Sequence, residues 1–276
     1  AEDVISRCLD LCQSVGLTVN VCLHGAPGGQ SGQQACGFDD PHWVPEMWDV
    51  DGSVRCVEHI AKRWGRHPAF DALTVINEPS ADIPIQTLLD FYERSYTAAR
   101  RHTSATIVLP VYHRGWWEFR EASPHGYPPA HFDNVHFDCH LYHCFGDGWQ
   151  QTTLDQMLDC AKTGDGHCPC LEDIPTPGIV SEWSLRLPVW DQSWPVVKDL
   201  AALNEEGERY AYRQMGKGQV RQFASNGAGW FFWTFKVDAP TANNGSGEPH
   251  WDLRECIKRG WLDPRWWTGG EGDDDD

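Results

Sequence analysis

Two glutamates stand far apart in the chain, each closing a short apolar run. The first is Glu78 in Leu73-Thr-Val-Ile-Asn77-Glu78-Pro79, and the second is Glu182 in Gly178-Ile-Val-Ser181-Glu182-Trp183. β-Branched runs that finish on a carboxylate read as buried parallel strands delivering acids to one shared mouth. A pair of such acids suits the hydrolysis of a glycosidic bond. One protonates the leaving oxygen while the other attacks the anomeric carbon.

Other polar and aromatic residues recur at corresponding places. His24 follows an apolar run, Asn77 precedes Glu78, His140 and Tyr142 follow another run, and Trp233 sits in a last one. A single histidine at a strand end is more often structural than catalytic. A set of polar and aromatic residues at successive strand ends is where the active sites of β/α folds are built.

The elements that must position them alternate. Strands are expected at Leu17–Leu23, Leu73–Ile76, Thr106–Val111, Val135–Cys139, Gly178–Ser181 and Gly229–Thr234. Amphipathic helices are expected at Ser53–Arg66, Ile85–Arg101, Thr152–Lys162 and Gly207–Asn226. In the second of these, Leu88, Leu89, Tyr92, Tyr96 and Ala99 share a face. A further helix opens the chain, with Val4, Ile5, Cys8, Leu11 and Cys12 at helical spacing and Gly16 as its stop. Alternation of this kind implies an α/β fold with a parallel sheet and right-handed crossovers. No linker or repeat divides the chain, so one domain over residues 1–265 is expected, followed by an acidic, disordered tail at 266–276.

Composition narrows the partners. With 276 residues, 41% of them hydrophobic, the chain can bury a substantial core, and no apolar run is long enough to span a membrane. A net charge of −18 argues against a nucleic-acid ligand. The 15 tryptophans are an excess that suits both core filling and stacking on sugar rings. Eleven cysteines are many for a reducing compartment. The cluster Cys160, His167, Cys168 and Cys170 offers only one half of a metal-site pattern, so a disulfide-bearing loop and secretion are the expectation. Because the chain opens directly on a helix, its native start is expected to lie upstream.

Taken in order, these motifs resemble a known family. Asn77-Glu78-Pro79 after an apolar strand, with a later Ser181-Glu182-Trp183, looks like the retaining β-glycosidases of glycoside hydrolase family five. Within it, the likeness is to the exo-1,3-β-glucanases of fungi and related eukaryotes. It rests on Leu23-His24-Gly25-Ala26-Pro27-Gly28-Gly29-Gln30-Ser31-Gly32, on His140-x-Tyr142-x-x-Phe145, and on Gly229-Trp230-Phe231-Phe232-Trp233-Thr234-Phe235-Lys236 with Ala239-Pro240. The closing Trp251 and Gly260-Trp261-Leu262 also have counterparts. The resemblance implies a (β/α)8 TIM barrel of which strands three to eight are present and the first two are absent. It implies Glu182 as nucleophile, with Tyr142 donating to its carboxylate, and Glu78 as acid/base. Asn77 would bind the sugar 2-hydroxyl, and His24 and His140 would bind hydroxyls or orient the carboxylates. Trp233 would be the platform under the sugar. Phe145 and Trp183 are further candidates for the next subsite and the wall, with core packing the competing reading for Trp183 and Trp230.

Two departures stand out. The family's strand-two arginine and its first-strand acidic residue have no match, and Gln33 replaces a phenylalanine that clamps the sugar beyond the cleavage point. The resemblance thus implies a secreted or cell-wall, monomeric exo-1,3-β-glucosidase acting on β-glucan, with no metal or other cofactor. The alternatives are an endo-β-glucanase of the same family, or a carbohydrate-binding or impaired fragment, because a barrel short of two strands leaves open edges.

Overall fold

The computed structural model describes residues 2–37, 39–112, 114–123, 125–164, 178–225, 227–237 and 248–268. They group into two compact units, one reaching Asp138 and the other running from Cys139 onward. His167, Cys168, Cys170, the pair Ala239-Pro240 and the tail from residue 269 lie outside the described residues.

The first unit holds strands β1 (Val19–Cys22), β2 (Phe70–Thr74), β3 (Thr106–Pro110) and the start of β4 (Val135–Leu141). β1 pairs with β2, β2 with β3 and β3 with β4, all in parallel. Between them run helices α1 (Glu2–Ser14), α2 (Val50–Trp64), α3 (Ile85–Arg100) and α4 (Trp116–Ala122). β2 buries every residue except Asp71, as a strand covered on both faces must. It begins earlier than the expected Leu73, yet its ladder continues past Thr74, because the Val75 amide donates to the Val108 carbonyl (3.1 Å). α2 starts where Asp49 accepts from the Gly52 amide (2.7 Å), and Lys62 and Arg63 meet the negative end of its dipole. On α3, Leu88, Tyr92, Tyr96 and Ala99 are buried as expected. Phe91 joins them, packing edge-on against Trp48 with centroids 4.9 Å apart, whereas Leu89 stays half-buried.

α1 forms, but not with the expected face inward. Leu9 is its one buried residue, and Val4 and Leu11 are each 63% exposed. Its directed contacts are polar. Ser6 accepts from the Trp64 indole (3.0 Å), and Glu2 and Asp10 meet His59 (2.9 Å) and His67 (3.1 Å). These three directed contacts to α2 and the turn after it hold the helix, and Val4 and Leu11 are left exposed with Val15 and Leu17.

The second unit holds the rest of β4 and the parallel pair β5 (Gly178–Trp183) and β6 (Gly227–Trp230). Its helices are α5 (Leu154–Thr163), α6 (Pro195–Ala201), α7 (Glu205–Ser225), α8 (Leu253–Lys258) and α9 (Arg265–Thr268). α5 opens on a capping box in which Thr153 and Gln156 satisfy each other's amides. It lies against α7 at Gly218, where a Cβ would stand 3.0 Å from the Ala161 backbone. Trp183 is fully buried, edge-on to Phe223, Trp230 and Phe232, and so fills the core rather than a wall of the site. Trp267 of α9 packs on Trp230 (5.2 Å), and Arg213 covers Trp266, so the unit extends through Thr268, past the expected start of the tail. Among the described residues no helix is long and apolar enough to cross a membrane.

Two measurements test this packing. Arg114, only 7% exposed, donates to the carbonyls of Ala81 (2.8 Å) and Ile83 and pairs with Glu118 (3.0 Å). Arg114→Met strands these acceptors and should cost about 2–4 kcal/mol in urea unfolding. A cost below about 0.5 kcal/mol would show that the arginine holds nothing. His250 is stacked on Trp261 (4.8 Å) and inclined against Tyr212 (4.6 Å), and the nearby Glu248 is taken by Arg186. Burial, with Arg186 and Arg259 nearby, holds its imidazole neutral and pushes its pKa down to about 3. The unfolded chain therefore binds the extra proton between about pH 6.5 and about pH 3, and stability must fall as pH drops through that window. From pH 7 to pH 5 this one residue should remove about 2 kcal/mol, a loss that His250→Phe abolishes.

Candidate active site

In the first unit the residues after β2 carry the first acid. Val75 and Ile76 are fully buried, and the Asn77 amide donates to the Leu23 carbonyl (3.1 Å), so the loop after β1 and the end of β2 are tied together. Asn77 is 3% exposed, with its Nδ2 3.4 Å from both His24 Nε2 and the Ala35 carbonyl. Gln30, absent from the residues singled out in the sequence, is the hub of this corner. Its Nε2 donates to the carbonyls of Asn77 (2.7 Å) and His24 (2.9 Å), and its Oε1 accepts from the Ala26 amide (3.0 Å). Gly28 lets the loop close down at φ +78°, where a Cβ would stand 1.9 Å from the Met47 carbonyl.

Glu78 follows with φ +40°, in a region that side chains with a Cβ seldom adopt. The residue is 9% exposed. Strain of this kind persists only where the surroundings enforce it, and it clusters at functional positions. On its far side Arg114 holds the carbonyls of residues 81 and 83, fixing the segment that leaves Glu78.

In the second unit β5 presents Ser181 and Glu182, and the end of β4 presents His140 and Tyr142. The Tyr142 hydroxyl donates to Glu182 Oε2 at 2.7 Å. His140 Nδ1 lies 3.5 Å from the same oxygen, and its Nε2 lies 3.1 Å from Ser181 Oγ. Glu182 is 9% exposed, so donors rather than bulk water stabilise its charge. The Tyr142 ring is itself held edge-on by Phe145 (5.4 Å) and at an incline by Trp251 (5.4 Å).

Past β6 the chain keeps bonding to its neighbour. The Trp233 amide donates to the Trp183 carbonyl (2.8 Å), and Thr234 exchanges backbone bonds with Trp251 and Leu253. Trp233, joined to Thr234 by a cis peptide, exposes 43% of its surface, and Phe145 exposes 53%. The arrangement thus gathers His140, Tyr142, Phe145, Trp233 and Glu182 in the second unit, and His24, Asn77 and Glu78 in the first. Gln33 lies in the loop after β1, exposed, at the start of the short helix Gln34–Cys36. Trp251, which packs on Tyr142, closes the short Pro249–Trp251 turn, a context that carries only a weak signal in the sequence.

No family profile matches the chain. It is 24% identical to a glucan 1,3-beta-glucosidase of Yarrowia lipolytica, over 96% of the chain and 66% of that protein. With glucan 1,3-beta-glucosidase 2 of Candida albicans it shares 22%, over 94% and 62%. The chain therefore spans a little under two thirds of the length of these curated relatives. Among solved structures it is similar to a rutinosidase from Aspergillus niger (TM-score 0.60, 15% identity, 91% of this chain and 69% of that one). It is also similar to a beta-glucanase from Saccharophagus degradans (TM-score 0.58, 12% identity, 93% and 70%). At such identities the structures share a fold with this chain: parallel strands alternating with helices, as in barrel glycosidases.

Proposed function

We propose that this chain carries the catalytic residues of a retaining β-glucan hydrolase of glycoside hydrolase family five, of the exo-1,3-β-glucosidase type. The observation that carries this reading is the Tyr142 hydroxyl on the Glu182 carboxylate (2.7 Å). A buried carboxylate at a strand end, held by a phenol and flanked by a histidine, is equipped to act as an anionic nucleophile. The names of the curated relatives support the substrate class.

Glu182 attacks the anomeric carbon while Glu78, in its acid form, gives a proton to the leaving oxygen. The resulting ester neutralises Glu182. Glu78, now a carboxylate, takes a proton from water, which attacks the same carbon, displaces the Glu182 carboxylate and restores the original configuration. This requires the two carboxyl groups to stand roughly 5–5.5 Å apart, not the roughly 6.5–9.5 Å of an inverting pair. Asn77 holds the 2-hydroxyl, His24 and His140 hold hydroxyls or orient the carboxylates, and Trp233 lies under the sugar. The protein acts on cell-wall or extracellular β-glucan.

In the same reading, β1 to β6 are the third to eighth strands of an eight-stranded barrel. The outward apolar stripe of α1 and the exposed end of β1 at Cys22 support this, since the strand–helix–strand segment of such a barrel, with α1 as its second helix, would cover both.

The roles of the two acids separate by substrate. Glu182→Gln should lower turnover of every β-glucoside by about a thousandfold or more while sugar binding stays measurable by calorimetry. Glu78→Ala should lose about a hundredfold or more on laminarin, yet keep the glycosylation step on an aryl glucoside with an activated leaving group, which needs little protonation. Equal losses on the two substrates would remove Glu78 from the acid role. Digestion of laminarin to glucose alone marks exo action; mixed oligomers would assign the chain to the endo-acting members.

A further inference from the structure

The second unit carries an aromatic surface that the proposed mechanism leaves unused. Trp190, in the loop after β5, is 58% exposed, and its ring lies beside Phe145 with centroids 6.4 Å apart and planes inclined by 21°. Phe145 in turn lies 6.1 Å from Trp251, at 34°. Exposed indoles are normally free to rotate. This one is pinned from two sides: its Nε1–H donates to the Cys144 carbonyl (2.7 Å), and the Arg186 guanidinium sits over its ring at 5.3 Å. Arg186 is itself held, with a side chain 9% exposed and ion-paired to Glu248. Burying a guanidinium is costly, and here the half-buried Glu248 carboxylate offsets the cost while the guanidinium fixes an apolar face toward solvent.

Such a face, preorganised and exposed, is suited to the C–H face of a sugar ring. Its position selects which ring. Tyr142 touches both Glu182 and Phe145, so Phe145 lies one ring further out than the residue that contacts the nucleophile, and Trp190 lies beyond it. We propose that Trp190, positioned by Arg186, is a specificity-determining residue that stacks on the glucosyl unit on the leaving-group side of the cleaved bond. The inference rests on Glu182 being the nucleophile.

The test compares a substrate that reaches the platform with one that does not. On laminaritriose, Trp190→Ala should lower kcat/KM by roughly tenfold to a hundredfold, and Trp190→Phe should recover most of it. On β-glucosyl fluoride, whose leaving group is one atom, both variants should match the parent within about twofold. An equal loss on both substrates, or no loss on either, overturns the proposal. If the parent turns over neither substrate, the hydrolase reading fails instead. Trp190 is then read by calorimetric binding of laminaritriose to the parent and to Trp190→Ala, where equal affinity overturns it.

Discussion

A carboxylate that is nine-tenths buried must find its stabilisation in the protein, and Glu182 finds it in the Tyr142 hydroxyl with His140 alongside. Much of the second unit is arranged around this contact. The phenol can donate because Phe145 and Trp251 fix its ring. Trp251 is held in turn by backbone bonding to Thr234, which follows Trp233. Trp183, next to the glutamate, turns inward and locks β5 into the core. One residue thus faces the site and its neighbour the interior, the alternation a strand imposes.

The first unit solves a different problem, holding a glutamate at positive φ. The means are polar rather than aromatic. Gln30 bonds the carbonyls on one side, Arg114 those on the other, and the ladder from Leu23 to Asn77 fixes the approach. Each of these side chains satisfies loop carbonyls that would otherwise be buried without donors, so each serves stability and placement together.

This division explains what could be read from the sequence. Most of the strands announce themselves through apolar runs, whereas β6 (Gly-Ala-Gly-Trp) begins and ends earlier than the expected Gly229–Thr234, and Glu78, Asn77, Glu182, His140 and Tyr142 stand out through their places after such runs. Gln30 and Arg114 escape because their partners are loop carbonyls, which composition does not reveal. The α1 face is misread for a related reason: Val4, Cys8 and Leu11 form a genuine apolar stripe, but the directed partners of Ser6, Glu2 and Asp10 set the helix so that Leu9 is its buried residue. Trp183 and Trp233 have the same side chain, and only their places, one at the end of β5 and one in the segment after β6, tell the buried ring from the exposed one.

The central claim is that Glu182 forms a covalent bond to the sugar. Incubation with a 2-deoxy-2-fluoro-β-glucoside bearing an activated leaving group, followed by peptide mass spectrometry, tests it directly. The account predicts one fluoroglucosyl unit esterified to Glu182 and none on a Glu182→Gln control. A label on another residue, or active protein that accumulates no label and releases α-configured product, would contradict it.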